Sequence, residues 1–357
     1  MTGRELSVVL CTYNRADLLP AALDALLAPQ GSIDYEIIVV DNNSSDATAA
    51  TVRAFVERSR GRIRSAFEPR QGLSNARNRG IGAARADIIA FVDDDVRVAS
   101  NWVMELAHVF ATHPDVDYVG GRVLPHWLEP PPPWLTTAHW SPLALQDYGT
   151  EPFVTGRNRA ICLVGANLAF RRRVFDRVGA FTPELGRIKD GIGSTEDHDM
   201  QLRVWRAGMH GLYAPSVVTV ADVPADRMTK AYHRRWHRGH GRHAAAMRLR
   251  ELVPADMGPM SEPRDIVSLF GSPAYVYADA LYFARRWLRA LVRGEDSFFY
   301  ANKLRHTRSY LRARRAARPD TSVTAAVLEL ASFAVAYWRK RTRRRAVARV
   351  TASSHGR

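Results

Sequence analysis

Four apolar runs in the first hundred residues alternate with segments of helical spacing. Three of them, 6–12, 35–40 and 88–92, are largely apolar, and 63–67, which contains Arg64 and Ser65, predicts a weaker strand. Unbroken apolar runs are typical of strands buried on both faces, whereas the stretches at 18–26, 47–60 and 72–84 have the spacing of helices. Strands that alternate with helices predict a doubly wound, mostly parallel α/β sheet with right-handed crossovers.

Beyond residue 100 the alternation continues less regularly. The predicted elements are helices at 101–112, 171–178 and 200–207, and strands at 116–124, 162–170 and 211–220. Between the first two of these strands, residues 125–152 contain four consecutive prolines and three tryptophans. A connection of this length is usually functional or disordered, and the tryptophans argue against plain disorder. We therefore predict a lid or a loop that contacts a substrate.

Three consecutive carboxylates, Asp93, Asp94 and Asp95, follow the fourth apolar run directly. In open α/β sheets, ligands bind beyond the carboxyl ends of the strands. Alternation along extended backbone points Asp93 and Asp95 to one side and Asp94 to the other. Two converging carboxylates repel each other, and a hard divalent cation between them and a phosphate relieves that repulsion. The stretch predicts a metal–phosphate site, with a solvated acidic turn as the alternative.

The net charge of +15 is concentrated in the last third of the 357-residue chain. Residues 228–357 carry 27 Lys/Arg and 9 Asp/Glu, a net charge of +18, whereas residues 1–227 carry a net charge of −3. This asymmetry predicts a catalytic domain at 1–227 and a basic, largely helical region at 228–357 that meets an anionic surface. An anionic membrane is favoured over nucleic acid, since no recognised nucleic-acid-binding module accompanies the charge.

Three stretches of the basic region bear on this expectation. Residues 275–293 mix aromatic and arginine side chains, which suits an amphipathic helix on a membrane surface. Residues 323–338 are apolar but too short for a typical spanning helix, and whether they insert stays open. The Arg/Lys cluster at 339–345 would attract anionic lipid at about 1 kcal/mol per basic residue. Four histidines between 233 and 243 have helical spacing, but the interleaved arginines disfavour a metal site there.

The cellular compartment is inferred from the cysteines and the N-terminus. Cys11 and Cys162 both lie in predicted strands, which indicates buried thiols rather than a disulfide framework and fits a reducing compartment. Residues 1–5 are too short and too polar for a signal peptide. We expect a cytoplasmic protein, peripheral at the inner face of the cell membrane.

Six short motifs, taken together and in order, resemble the inverting family 2 glycosyltransferases, which have the GT-A fold. The motifs lie at 11–15 (CTYNR), 39–44 (VVDNNS), 72–78 (GLSNARN), 91–95 (FVDDD), 165–171 (GANLAFR) and 196–200 (EDHDM). The resemblance extends over residues 6–220 and implies a GT-A type, Rossmann-like sheet. It also implies transfer of one sugar from a nucleotide-diphospho-sugar, with a UDP-sugar favoured over GDP- or dTDP-sugars.

The resemblance assigns the donor and metal residues. It places Asp41 on the edge of the nucleobase, Arg77 beside the diphosphate or the base pocket, and Asp93 at the ribose. For Asp41 a turn cap is the alternative, and for Arg77 a surface helix arginine. A Mg²⁺ or Mn²⁺ ion bridging the two phosphates would be held by Asp95 with Asp93, and would stabilise the leaving group. The remaining implied donor residues are Thr12, Tyr13, Asn14, Arg15 and Asp94.

Inversion requires one general base for the acceptor hydroxyl, and the resemblance assigns this role to Asp197, supported by Glu196. The alternative is that these acids cap a helix and complement its dipole. A saccharide or lipid-linked acceptor would contact Gly165, Ala166, Asn167 and Trp134. The run Gln201–Trp205 departs from the Gln-x-x-Arg-Trp motif of processive synthases, which disfavours processive synthesis.

Three other classes fit less well. A dehydrogenase needs a glycine-rich turn after its first strand, and residues 11–15 contain no glycine. A nucleotidyltransferase would need a glycine-rich, basic motif near the N-terminus, and residues 1–30 lack one. A non-catalytic sugar- or nucleic-acid-binding protein would not be expected to retain the complete set of acids.

Overall fold

The protein is described by a computed structural model that covers residues 5–28, 31–187, 195–254, 258–262 and 266–318, with positions 322, 324, 327 and 329–333. The basic cluster at 339–345 and most of 323–338 lie outside the described residues. The chain forms two compact units, residues 1–240 with 256–259 and residues 241–255 with 260–357. The division predicted after residue 227 stays a prediction.

A nine-stranded mixed sheet forms the centre of the first unit as described. Its strand order is β3-β2-β1-β4-β8-β6-β9-β5, with β7 paired to β9. Strands β1 to β4 are mutually parallel where they pair, β8 runs antiparallel to β4 and β6, and β6 is parallel to β9. The strands are β1 Leu6–Thr12, β2 Tyr35–Asp41, β3 Ile63–Phe67, β4 Ile88–Asp93, β5 Val96–Val98, β6 Tyr118–Trp127, β7 Phe153–Thr155, β8 Asn167–Arg171 and β9 Gly211–Val223.

Helices cover the sheet, and each packs through the apolar spacing seen in the sequence. Helix α1, for example, buries Leu19, Ala22, Leu23 and Leu26, which share one face. The helices of the first unit are α1 Leu19–Leu27, α2 Thr48–Arg58, α3 Leu73–Ala83, α4 Trp102–Thr112, α5 Arg172–Val178 and α6 Glu196–Arg206. The predicted doubly wound α/β fold is confirmed.

The register of the central strands brings polar side chains to one edge of the sheet. Leu10 of β1 lies between Val39 of β2 and Val92 of β4 in the core. Further along β1, Thr12 pairs with Asp41, and Cys11 pairs with Asp93. The rigid apolar strands therefore place the ends of three sequence motifs side by side.

The prediction of a strand at 162–170 is wrong for the first half of this range. Strand β8 begins only at Asn167, and Cys162, Gly165 and Ala166 lie in the irregular segment before it. The backbone N–H of Asn167 donates to the Val164 carbonyl, which closes a turn, and that of Gly165 donates to the Asp197 carboxylate. These backbone N–H groups bond to a turn carbonyl and to a side chain instead of to a neighbouring strand, so the segment before Asn167 does not pair as a strand.

The predicted irregular region at 125–152 is a packed, ordered connection. Strand β6 continues to Trp127, and short 3₁₀ turns follow at Thr137–His139 and Ser141–Leu143. Gln146 forms a β-bridge with Val123, and Leu143 and Leu145 are buried. The segment is thereby fixed beside the end of the sheet.

The second unit is mainly helical in the residues described. Its elements are α8 Leu249–Leu252, β10 Ser268–Leu269, β11 Ser272–Pro273, α9 Ala274–Arg293 and α10 Phe298–Ala316, and α7 Lys230–Ala246 begins in the first unit. A small core of Ala244, Ala245, Val276 and Tyr310 holds it together. Within the described residues, no helix combines the length and apolarity needed to cross a bilayer.

Candidate active site

Two cavities meet at the carboxyl ends of the strands. The strand-end cavity has a volume of about 400 Å³, and the loop cavity, beside the 141–148 segment, about 330 Å³. The strand-end cavity is lined by Cys11, Thr12, Tyr13, Asn14, Arg15, Asn42, Gln71, Leu73, Ala76, Asp93, Asp94, Asp95, Arg187 and Arg227. The structure thus brings the predicted donor residues of the first and fourth motifs together, within the size range of small-molecule sites.

The turn after β1 is tied to the turn after β2. Asn14 adopts a left-handed backbone conformation (φ 51°), which asparagine tolerates better than most residues. Its side-chain oxygen accepts from the Ser45 N–H at 2.8 Å, and its own N–H donates to Ser44 Oγ at 3.0 Å. These bonds hold the 12–15 segment in one shape along the cavity wall.

The Asp41 carboxylate is hydrogen-bonded within the turn that follows β2. Its Oδ1 accepts from the Ser44 N–H at 2.9 Å, as the turn-cap alternative expected, and the described cavity wall contains Asn42 instead. Asn42 donates to the Glu68 and Arg70 carbonyls and accepts from the Gly72 N–H, so it joins the second and third motifs. Sequence reasoning missed Asn42, although it lies inside the quoted motif.

The three aspartates have separate partners. Asp93 Oδ1 accepts from Arg77 at 3.3 Å, Asp94 Oδ2 accepts from Thr12 Oγ1 at 2.8 Å, and Asp95 Oδ2 lies 3.1 Å from Arg227 Nη1. Asp93 and Asp95 line both cavities. Burial raises the pKa of Asp93, and burial with the neighbouring Asp95 raises the pKa of Asp94 to about 7.

This cluster fits a hard divalent cation. Asp93 and Asp95 present carboxylate oxygens, which Mg²⁺ and Mn²⁺ prefer, to the same space. Negative charge is crowded there, and a cation relieves crowding of this kind. Asp95 and Asp93 are therefore the residues that would hold the metal.

Arg77 connects two motifs across the site. Its side chain is only 4% exposed, so the alternative of a surface helix arginine is wrong. Nη1 donates to Glu196 Oε1 at 2.8 Å and Nη2 to Asp93 Oδ1 at 3.3 Å. Burial opposes its charge, but Glu196 and Asp93 outweigh burial and raise the pKa of Arg77. Gly165 makes room for it, since a Cβ there would lie 2.9 Å from Nη2.

Asp197 is held at the wall of the loop cavity, at the start of α6. Its Oδ2 accepts from the Gly165 N–H at 3.1 Å, and its Oδ1 from the His198 N–H at 2.8 Å. Burial alone would raise the pKa of Asp197, but the His198 ring, Arg77 and the Gly165 N–H hold it below its usual value. Asp197 is thus an oriented, ionised carboxylate, as a general base must be.

His198 and Cys162 lie beside this carboxylate. Burial disfavours a charged ring, but contacts with Cys162 and Asp197 raise the pKa of His198 well above its ordinary value. Ligand-type atoms of Cys162, Asp197 and His198 all lie within 4.8 Å of one another. Burial raises the pKa of the Cys162 thiol to about 11, so it is protonated at neutral pH.

The predicted acceptor residues divide into two pairs. Gly165 and Ala166 line the loop cavity. Asn167 is instead committed to Trp102 Nε1 and to the Arg122 and Val217 carbonyls, and Trp134 packs edge-on against His139 and His233. The connection predicted to contact a substrate contributes seven residues to the described wall, namely Ser141, Pro142, Leu143, Ala144, Leu145, Gln146 and Tyr148. Sequence reasoning missed three further residues of this wall, Tyr232, Trp236 and His240.

Comparison with known families accounts for this arrangement. A sequence model of the family described as Glycosyl transferase family 2 matches residues 7–179. The match extends over 173 of the 357 residues, just under half of the chain, and shows what this segment is similar to. The matched segment contains nearly all of β1 to β8, and therefore both the three aspartates and Arg77.

Two curated relatives are also glycosyltransferases. The glucosyl-dolichyl phosphate glucuronosyltransferase of Haloferax volcanii is 26% identical over 208 residues, which are 56% of this chain and 63% of the relative. The validoxylamine A glucosyltransferase of Streptomyces hygroscopicus is 37% identical over 111 residues, 30% of this chain and 25% of the relative. The chain thus spans less than two thirds of the length of the relatives it matches.

A solved structure shows the same fold. The mannosyltransferase PcManGT from Pyrobaculum calidifontis, solved in complex with GDP-Man and Mn²⁺, superposes with a TM-score of 0.52 at 21% identity. The match covers 94% of this chain and 81% of that protein. It extends the GT-A architecture beyond the region matched by the family.

Proposed function

We propose that the protein transfers one sugar from a nucleoside-diphospho-sugar to the hydroxyl of a saccharide or lipid-linked acceptor, with inversion and with a divalent metal. One observation carries the proposal. The ionised Asp197 faces the loop cavity, and this cavity meets the strand-end cavity at Asp93 and Asp95. A base in one cavity and a cluster of metal-binding oxygens at the junction are what inverting transfer requires.

The residues divide the reaction between them. Thr12, Asn14 and Asn42 shape the strand-end cavity, where the nucleoside would bind. Asp197 would take the proton of the acceptor hydroxyl. The hydroxyl oxygen would at the same time attack C1 of the sugar, and the bond from C1 to the diphosphate would break. Asp95 and Asp93 would hold the divalent cation, which would supply charge stabilisation to the departing diphosphate. Glu196, neutralised by Arg77, supports the site rather than accepting the proton.

Two features of the proposed reaction need to be specified further, the nucleotide of the donor and the kind of acceptor. The sequence resemblance favours a UDP-sugar, but the structural neighbour was solved with GDP-Man, so both nucleotides belong in any test. The loop cavity carries aromatic side chains, with the Trp236 and His240 rings stacked at 4.4 Å. Stacked rings beside polar groups suit a sugar-bearing acceptor, free or linked to lipid.

Nucleotide binding tests the metal assignment directly. Replacing Asp95 with Asn removes a carboxylate from the metal site and should abolish the Mn²⁺-dependent part of nucleoside diphosphate binding while the protein stays folded. Binding of UDP and GDP is measured by isothermal titration calorimetry, with Mn²⁺ and with chelator.

The matched control is Asp115→Asn, which removes an acidic side chain that is exposed and remote from both described cavity walls. It should bind nucleotide like the unaltered protein. Undiminished Mn²⁺-dependent binding in Asp95→Asn would remove Asp95 from the metal site. A nucleotidyltransferase would instead release pyrophosphate from a nucleoside triphosphate, and a non-catalytic protein would bind without turnover.

We also propose that the second unit binds the inner face of the cell membrane through α9. Leu281, Leu288 and Val292 are 61%, 58% and 81% exposed and form one row along this helix. Arg285, Arg289 and Arg293, spaced by four residues, form a second row beside it. An apolar row next to a row of arginines is typical of helices that lie in the interface of an anionic bilayer.

Removing the apolar row should release the protein from vesicles. We expect the double variant Leu288→Ser/Val292→Ser to lose most of its co-sedimentation with vesicles of phosphatidylcholine and phosphatidylglycerol. The unaltered protein should bind them, and less at high salt, because the arginine contribution is screened. Phe67→Ser, at an exposed apolar position of the first unit, is the control. Equal binding to purely neutral vesicles would refute the electrostatic contribution.

A further inference from the structure

Arg227 forms an ion pair with a residue of the metal site. It lies in the 3₁₀ turn Ala225–Met228, directly after β9, and its Nη1 is 3.1 Å from Asp95 Oδ2. The two side chains are only 18% and 16% exposed. Burial opposes the charge of Arg227, but Asp95 raises the pKa of Arg227, so the pair is ionic. Truncating one partner of such a pair leaves the other charge poorly compensated.

Arg227 lines both cavities and is paired with an acid of the metal site. The side chains common to the two described walls are Leu73, Asp93, Asp95, Arg187 and Arg227. If the nucleoside occupies the strand-end cavity and the acceptor the loop cavity, the bond between sugar and diphosphate lies at this junction. Arg227 is therefore a permanent cation at the point where the leaving group gains charge.

We propose that Arg227 has two alternative partners, Asp95 and the diphosphate of the donor, and that metal binding decides between them. This inference rests on the function proposed above. A cation on Asp95 competes with Arg227 for the same carboxylate oxygen. Once displaced, the guanidinium can present two parallel N–H donors to phosphate oxygens, which is the geometry arginine favours. Metal and diphosphate binding are then coupled through one side chain.

The variant Arg227→Gln separates this role from a merely structural one, because the two affinities should move in opposite directions. Without the competing cation, Asp95 should bind Mn²⁺ alone several-fold more tightly. Without the guanidinium, UDP or GDP should bind about 10- to 100-fold more weakly at saturating Mn²⁺, as expected for a lost charge-assisted contact. Mn²⁺ binding is measured by electron paramagnetic resonance of the free ion, and nucleotide binding by calorimetry.

Arg122→Gln is the matched control. Arg122 also pairs with a carboxylate, at 2.7 Å from Asp147, but lies outside the described lining of both cavities. It should change neither affinity. Arg227→Lys keeps the positive charge but lacks the two parallel N–H donors. Compared with Arg227→Gln, it should bind nucleotide more tightly and Mn²⁺ more weakly.

Two results would overturn the inference. If Arg227→Gln weakens Mn²⁺ and nucleotide binding together, Arg227 only supports the site. If nucleotide affinity is unchanged, Arg227 does not contact the diphosphate. Failure of the proposed function looks different, since the unaltered protein would then bind none of UDP, GDP and dTDP in the presence of Mn²⁺.

Discussion

Replacing Asp197 with Asn should lower turnover by about 10²–10⁴-fold while donor binding stays nearly unchanged. The amide keeps the shape of the side chain but cannot take the proton of the acceptor hydroxyl. The Gly165 and His198 N–H groups orient the carboxylate, and one of its remaining acceptor positions is left for the substrate. Turnover is measured as nucleoside diphosphate release, and donor binding by calorimetry.

Two further variants on α6 make this result specific. Asp199→Asn alters an acid whose Oδ2 is occupied by Thr182 and Arg203, and should leave turnover nearly unchanged. Glu196→Gln weakens the contact with Arg77 and should affect the assembly of the site more than the proton transfer. If Asp197→Asn turns over normally while Glu196→Gln does not, the base has been assigned to the wrong acid.

Replacing Arg77 with Met should reduce the free energy of unfolding by about 3–5 kcal/mol. The reason is that Glu196, 3% exposed, and Asp93 would lose the charge that compensates them. Nucleotide binding should fall as well, because Asp93 loses the donor that orients it. Denaturant titration gives the stability change, and calorimetry gives the binding.

Arg79→Met is the matched control, on the same helix two residues further on. Arg79 is exposed, and a substitution of this kind usually changes stability by less than about 0.5 kcal/mol. Equal stability of the Arg77 and Arg79 variants would show that the buried network around Arg77 contributes little to folding.

The parallel half of the fold follows from the sequence because its signal is local. Strands β1, β2 and β4 are buried on both faces, so each is largely apolar, apart from the buried Ser7 and Glu36 near the starts of β1 and β2, and has a polar residue at its end. The start of β8 could not be predicted in this way. Residues 162–166 are just as apolar, but hydrogen bonds to Val164 and Asp197 withdraw their backbone from the ladder.

Site residues could be predicted where a single sequence motif contains all of the groups that define their role. Asp93, Asp95 and Asp197 were expected from their motifs, and the structure brings them to connected cavities. Arg227 and Asn42 were not expected, because their roles depend on partners far away in the sequence, Asp95 and Gly72. Asn167 is the opposite case, a residue whose motif suggests a role that its contacts do not support. The motif assigns it to acceptor binding, but its side chain is hydrogen-bonded to Trp102 and to the Val217 carbonyl.

The central claim is that a sugar leaves a nucleoside diphosphate at the junction of the two cavities. Its most direct test is nucleoside diphosphate release by the unaltered protein from a panel of UDP-, GDP- and dTDP-sugars with Mn²⁺, with Asp197→Asn and Asp95→Asn in parallel. The account predicts release from one class of donor, lost with chelator and in both variants. Absence of release from every donor, or release by both variants that equals release by the unaltered protein, would contradict it.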